Sequence, residues 1–129
     1  MYLRFISREQ DENSRSFVGV FTHVYRIRNS EELLPHEKET LEHSLGWLKM
    51  HLKVPAVLKD EGNERAICWF KDTAKRPMEH VWQLVHLLRD HGIHMELVKT
   101  NDPGVILYED GWQVVAKPHR KDRVKVSQG

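Results

Sequence analysis

The spacing of apolar and polar positions changes several times along the chain, and each change marks an element. Tyr2–Ser7 alternates, with Tyr2, Arg4 and Ile6 opposed to Leu3 and Phe5, which predicts a strand. The polar run Arg8–Ser16 predicts a loop. Phe17–Asn29 fits two periods. Its β-branched and aromatic content suits a strand, yet Phe17, Val20, Phe21, Val24 and Ile27 share one helical face and Ser16 stands where a cap would. The helix is the favoured reading, ending at Asn29 and Ser30.

A second helix is predicted over Pro35–Leu52. Pro35 suits the first turn, and Leu41, Leu45, Leu48 and Leu52 form an apolar stripe. Lys53–Glu64, with Pro55 and Gly62, reads as a connection. Ala66–Phe70 is continuously apolar and predicts a central strand buried on both faces. A third helix is predicted over Thr73–His91. Met78, Val81, Trp82, Val85 and Leu88 line its apolar face, Leu84 and Leu87 widen it, and Gly92 stands at the C-terminal cap. Three strands follow: Ile93–Lys99, Gly104–Glu109 and Trp112–Lys117. Asp110-Gly111 between the last two is a strong hairpin signal.

The predicted order is β-α-α-β-α-β-β-β. It corresponds to a single α+β domain over residues 1–118, with a basic tail at 119–129. The strands on either side of the third helix are expected to be parallel neighbours in a right-handed crossover, and the last three strands to form an antiparallel meander. The expected architecture is a mixed sheet of about five strands with helices on one face.

Composition narrows the classes. The chain has 129 residues, 40% hydrophobic and 30% charged, which is ordinary for a globular domain. Its formal net charge is +1, unevenly spread. Residues 117–125 hold five of the 20 Lys/Arg (Lys117, Arg120, Lys121, Arg123, Lys125) but only one of the 19 Asp/Glu, Asp122. The rest of the chain carries an excess of acid, unlike a dedicated nucleic-acid binder. Cys68 is the single cysteine, which excludes an intrachain disulfide and fits a reducing compartment. No apolar run approaches the length of a membrane span. The expected location is cytoplasmic, with no membrane contact.

Recognisable catalytic patterns are missing. His91 and His94 form the closest histidine pair, spanning a helix end and the next strand; they could hold one weak surface metal, but two exposed histidines, one favourable at a helix C-terminus, is the preferred reading, and no metal or other cofactor is expected. The third helix carries Glu79, Gln83, His86 and Asp90 as a polar stripe. His86 and Asp90 are one turn apart, but no nucleophile accompanies them. Neither common glycine-rich nucleotide loop is present.

Two surfaces remain as candidates. With parallel strands side by side, ligands gather beyond their carboxyl ends. Lys71, Lys75, Arg76, Lys99 and Thr100 would then converge on a phosphate or carboxylate near the start of the third helix. Separately, Trp112 after the hairpin turn, beside Tyr108, would anchor a partner protein. Trp47, Trp69 and Trp82 read as core residues.

Residues 66–118 resemble a family of small uncharacterised bacterial proteins. The shared pattern is Trp69-Phe70-Lys71, Ala74, Trp82, Leu87-Leu88, His91-Gly92, Pro103-Gly104, Tyr108-Glu109-Asp110, Gln113-Val114-Val115-Ala116 and Pro118. The likeness extends more loosely over residues 17–55. It implies bacterial origin and favours the helical reading of Phe17–Asn29. No activity is established for that family, so no catalytic residue carries over. The leading expectation is a non-enzymatic binding or protein-interaction module, acting on a protein partner or by self-association through the hairpin edge or the helical layer. The alternative is a phosphate- or nucleic-acid-binding protein, or a small phosphate-ester enzyme, using the lysine cluster.

Overall fold

The computed structural model describes residues 1–10 and 17–119. The basic tail, His119 apart, and the proposed Ser16 cap lie outside the described residues. The chain forms one six-stranded antiparallel sheet and three helices. The strands are β1 (Tyr2–Gln10), β2 (Phe17–Gly19), β3 (Ile67–Lys71), β4 (Glu96–Thr100), β5 (Val105–Glu109) and β6 (Gln113–Lys117). The helices are α1 (Val20–Arg28), α2 (Pro35–His51) and α3 (Lys75–Asp90), with a short 3-10 turn at Ala56–Lys59. Among the described residues, no helix is long and apolar enough to cross a membrane.

Two pairing expectations are overturned. β3 and β4 are not parallel neighbours, because β1 lies between them and pairs antiparallel with both. Tyr2 is opposite Lys71 on one side and Thr100 on the other. The crossover through α3 therefore leaves a slot one strand wide, which the N-terminal strand fills. The meander also fails: β5 and β6 form the predicted hairpin, but β4 pairs with β1 instead of β5. The driving pattern is the alternation in β1. Leu3 and Phe5 sit opposite Phe70 and Leu97 respectively, and all four pack against the helical core.

The uncertain segment 17–29 divides between its two periods. Phe17–Gly19 pairs with the distal half of β1, and the helix begins only at Val20, with Gly19 extended as its N-cap. Arg8–Gln10, expected in a loop, extend β1. β1 thus has two partners along a single edge. Its residues 2 and 3 pair β3, whereas Ile6 and Gln10 pair β2. Arg4 and Phe5 fall at the break between them.

The helical layer follows the predicted stripes. Leu41, Leu45 and Leu48 of α2 meet Val81, Leu84, Val85 and Leu88 of α3, and Val20, Val24 and Ile27 of α1 join them. Each such side chain contributes about 1.5–3 kcal/mol when fully buried. α3 ends as expected. Gly92 takes φ +80°, its N–H donates to the Arg89 carbonyl, and the Ile93 N–H donates to the Leu88 carbonyl. That is the Schellman arrangement, which needs a residue tolerant of positive φ.

A salt link ties the start of α2 to the end of α3. Glu37 accepts the Leu34 N–H at 3.0 Å through one carboxylate oxygen and pairs with His91 Nε2 at 2.7 Å through the other. The Leu34 amide first, and His91 second, hold the Glu37 carboxyl below the usual glutamate value. A carboxyl with a lowered folded pKa stabilises above its unfolded value and loses that contribution as pH falls through the folded one. Glu37→Gln should therefore lower the thermal midpoint at pH 7, and the deficit should vanish well below about pH 4.3. Melts by circular dichroism across pH check this; a deficit that persists in acid would contradict it.

Candidate ligand-binding cavity

The break between β2 and β3 opens into a cavity of about 470 Å³. That lies within the range of small-molecule sites. Its walls come from the start of α1, the end of α2, the Leu52–Leu58 connection and β3. They are mostly apolar, including Phe17, Phe21, Leu45, Leu48 and Leu58. Phe17, Tyr25 and Val54 line it and are also exposed, Val54 by 78%, so the mouth is apolar too. The lining takes in residues from both faces of β3, because the sheet is interrupted there. Cys68 and Phe70 come from one face, Ile67 and Trp69 from the other.

Arg4 is the principal charge in this cavity. Continuing the β1–β3 register from Tyr2↔Lys71 and Leu3↔Phe70 sets Arg4 opposite Trp69, on the same face. Its Nη2 donates to the Phe17 carbonyl at 2.8 Å. Among the described residues no carboxylate lies within ion-pair distance of it, and most of its donor fork has no protein acceptor. Burial pulls its pKa below the usual arginine value, but the side chain stays charged at any ordinary pH. Glu64, the one acid in the lining, is turned to its own loop, accepting the Gly62 N–H at 3.2 Å.

Cys68 corrects the expectation of a strand buried on both faces: it is exposed, and what it is exposed to is the cavity. Burial around it pushes the thiol above its ordinary value, and the nearby Arg4 charge partly offsets this. Trp69 is 9% exposed, and its indole N–H has no hydrogen-bond acceptor among the described residues. An unmet buried donor of this kind costs about 1–3 kcal/mol. Lys49, at the mouth, places its Nζ 5.1 Å from the Tyr25 ring centre.

The predicted anion cluster is spread out. Lys71 and Thr100 share one edge, but β1 stands between them, two strand spacings of about 4.8 Å apart. Alternation puts Lys99, opposite Leu3, on the other face of the sheet from Lys71, opposite Tyr2. Lys71 is neutralised by Glu109, Nζ to Oε2 at 2.6 Å. Thr100 is turned to the Asp102 backbone, Arg76 lies over the Trp47 ring at 5.5 Å, and Lys75 is exposed at the start of α3.

The predicted partner anchors are both engaged within the chain. The Tyr108 hydroxyl donates to Asp110 Oδ2 at 2.8 Å, and the Trp112 ring lies 5.8 Å from Trp47. Asp110 also accepts the Trp112 and Gln113 amides, both at 2.9 Å. Burial pushes its carboxyl up, but these donors outweigh burial and leave it below the ordinary aspartate value. Trp47 itself stacks with His51 at 4.1 Å and His80 at 4.5 Å.

One arrangement that the sequence did not suggest resembles hydrolytic machinery. His23 Nε2 lies 2.8 Å from Ser7 Oγ, and Glu9 Oε2 is 3.7 Å from that same nitrogen. A triad needs the carboxylate on the opposite ring nitrogen, to orient the base. With both groups at Nε2 the imidazole is a buried structural partner of Ser7, whose hydroxyl also lies 3.2 Å from the Val18 carbonyl. On α3, His86 lies beside the Trp82 ring, and no hydrogen bond joins it to Asp90 among the described residues. Among the described residues no group of three His, Cys, Asp or Glu side chains is disposed to hold a metal.

Arg4 and Cys68 escaped the sequence reading for a definite reason. Alternation assigns a residue to a face but does not show that the neighbouring strand stops beside it. No family model matches this chain, and no significant match to it occurs among curated proteins or solved structures.

Proposed function

We propose that this chain is a binding module whose bound partner is a small molecule held in the cavity at the break in the sheet. The observation that carries the reading is Arg4, a charged, half-buried side chain without a carboxylate partner among the described residues, set in a mostly apolar cavity of about 470 Å³. A charge partly withdrawn from water and left unpaired is less well solvated than a free one, so an occupant that completes its hydrogen bonds would gain affinity there. The exposed apolar mouth at Phe17, Tyr25 and Val54 gives such an occupant a route in.

The surface readings draw less support. Tyr108 and Trp112 spend their polar and aromatic contacts inside the chain, and Lys71 is already paired with Glu109.

The test is uptake of an environment-sensitive apolar dye. The wild-type protein should bind it saturably at one site. Cys68→Trp points a large side chain into the cavity from an exposed position and should remove that uptake, with the circular-dichroism spectrum unchanged. Equal uptake by both proteins would sink the proposal.

A further inference from the structure

Resting on that reading, we infer that the occupant is a monocarboxylate with an apolar chain, its carboxylate on Arg4 and its chain along the cavity walls. The guanidinium fork is matched to a carboxylate, which it takes through two parallel hydrogen bonds. Phe17 occupies only one of those donors, through its main-chain carbonyl.

Charge selects a monoanion. Arg4 is the one cation in the lining that is not fully exposed, since Lys49 and Lys53 are exposed at the mouth. A dianionic phosphate would bring a second negative charge into an apolar cavity with no buried partner for it, at a desolvation cost its hydration does not impose in water. An alkylammonium would set like charge against Arg4. A neutral alcohol would bury its chain equally well but leave the guanidinium without a counter-charge. Glu64, the one carboxylate in the lining, is held by the Gly62 amide and does not compete for Arg4.

The apolar part is specified by the walls. Phe21, Leu52 and Leu58, each partly exposed, offer aliphatic and aromatic surface without hydrogen-bonding groups, which suits a hydrocarbon chain better than a sugar or a nucleobase.

Octanoate, octan-1-ol and octylammonium, titrated calorimetrically against the full-length protein, separate these cases. Octanoate should bind at least about ten-fold more tightly than octan-1-ol, because a hydrogen bond to a charged group is worth about 1.5–3 kcal/mol, or roughly 10–150-fold. Octylammonium should bind most weakly. Arg4→Met keeps an unbranched apolar stem of similar length to arginine's and removes the guanidinium. It should weaken octanoate by that factor and leave octan-1-ol within about three-fold, so the alcohol serves as the control for a folded cavity. Arg4→Lys should retain part of the octanoate preference. Equal binding of acid and alcohol by the wild type would overturn the ligand class while leaving the cavity reading in place. So would an equal loss of both ligands in a folded Arg4→Met. Failure of all three ligands to bind the wild type would overturn the class and the cavity reading together.

Discussion

Gly104→Ala should destabilise the fold by about 3–5 kcal/mol, above the roughly 0.5–3 kcal/mol that most single substitutions cost. Gly104 takes φ +114°, a conformation that side chains disfavour, and its Cα faces the backbone of the neighbouring strand. A Cβ built there would overlap the Lys117 carbonyl and approach Pro118. Neither can withdraw cheaply, because Val105 and Lys117 are register partners in the hairpin. The Gly104 N–H also donates to Asp102 Oδ1 at 3.1 Å, which fixes the turn leading into β5. Domains of this size are stable by roughly 5–15 kcal/mol, so the variant should be marginal. Guanidinium denaturation measures this, and a loss below about 1 kcal/mol would show that the turn relaxes where the structure has no room for it.

Phe5→Ala should cost a comparable amount, about 3–5 kcal/mol. Phe5 is 2% exposed on β1 and meets Trp82 of α3 edge to face, with ring centres 4.7 Å apart and planes at 78°. This pair is one of the contacts by which the sheet engages the helical layer, and its geometry adds about 0.5–1.5 kcal/mol beyond the area buried. Phe5→Leu fills most of the volume and should cost only about 1–1.5 kcal/mol. The two variants are compared by chemical denaturation. Near-equal, small losses from both would mean that the helices are not held at this point.

The features legible in the sequence are those set by local chemistry. Gly92 is recognisable because a helix cap needs positive φ, and Asp110-Gly111 because such a pair between two apolar runs marks a hairpin, where the Asp110 carboxylate accepts the Trp112 and Gln113 amides. The stripes of α2 and α3 follow from helical period alone. What was not legible depends on contacts across long stretches of chain. Tyr2–Ile6 pairs with Glu96–Thr100, and nothing in either segment names the other. Once β1 filled the slot between β3 and β4, the expected lysine cluster was divided, with Lys71 and Lys99 on opposite faces. The same insertion created the break beside Arg4. Cys68 misled for a related reason: its apolar run Ala66–Phe70 does mark an inner strand, but one face of that strand meets a cavity instead of packed side chains.

The most direct test of the cavity as the binding site is to locate the bound dye by two-dimensional amide correlation spectra. Saturating dye should shift amides of residues 17–25, 45–58 and 64–70, around the cavity, and leave Tyr108 and Lys99 unchanged. Shifts centred on the hairpin or on the Lys71–Lys99 edge, with the cavity amides unmoved, would contradict the account.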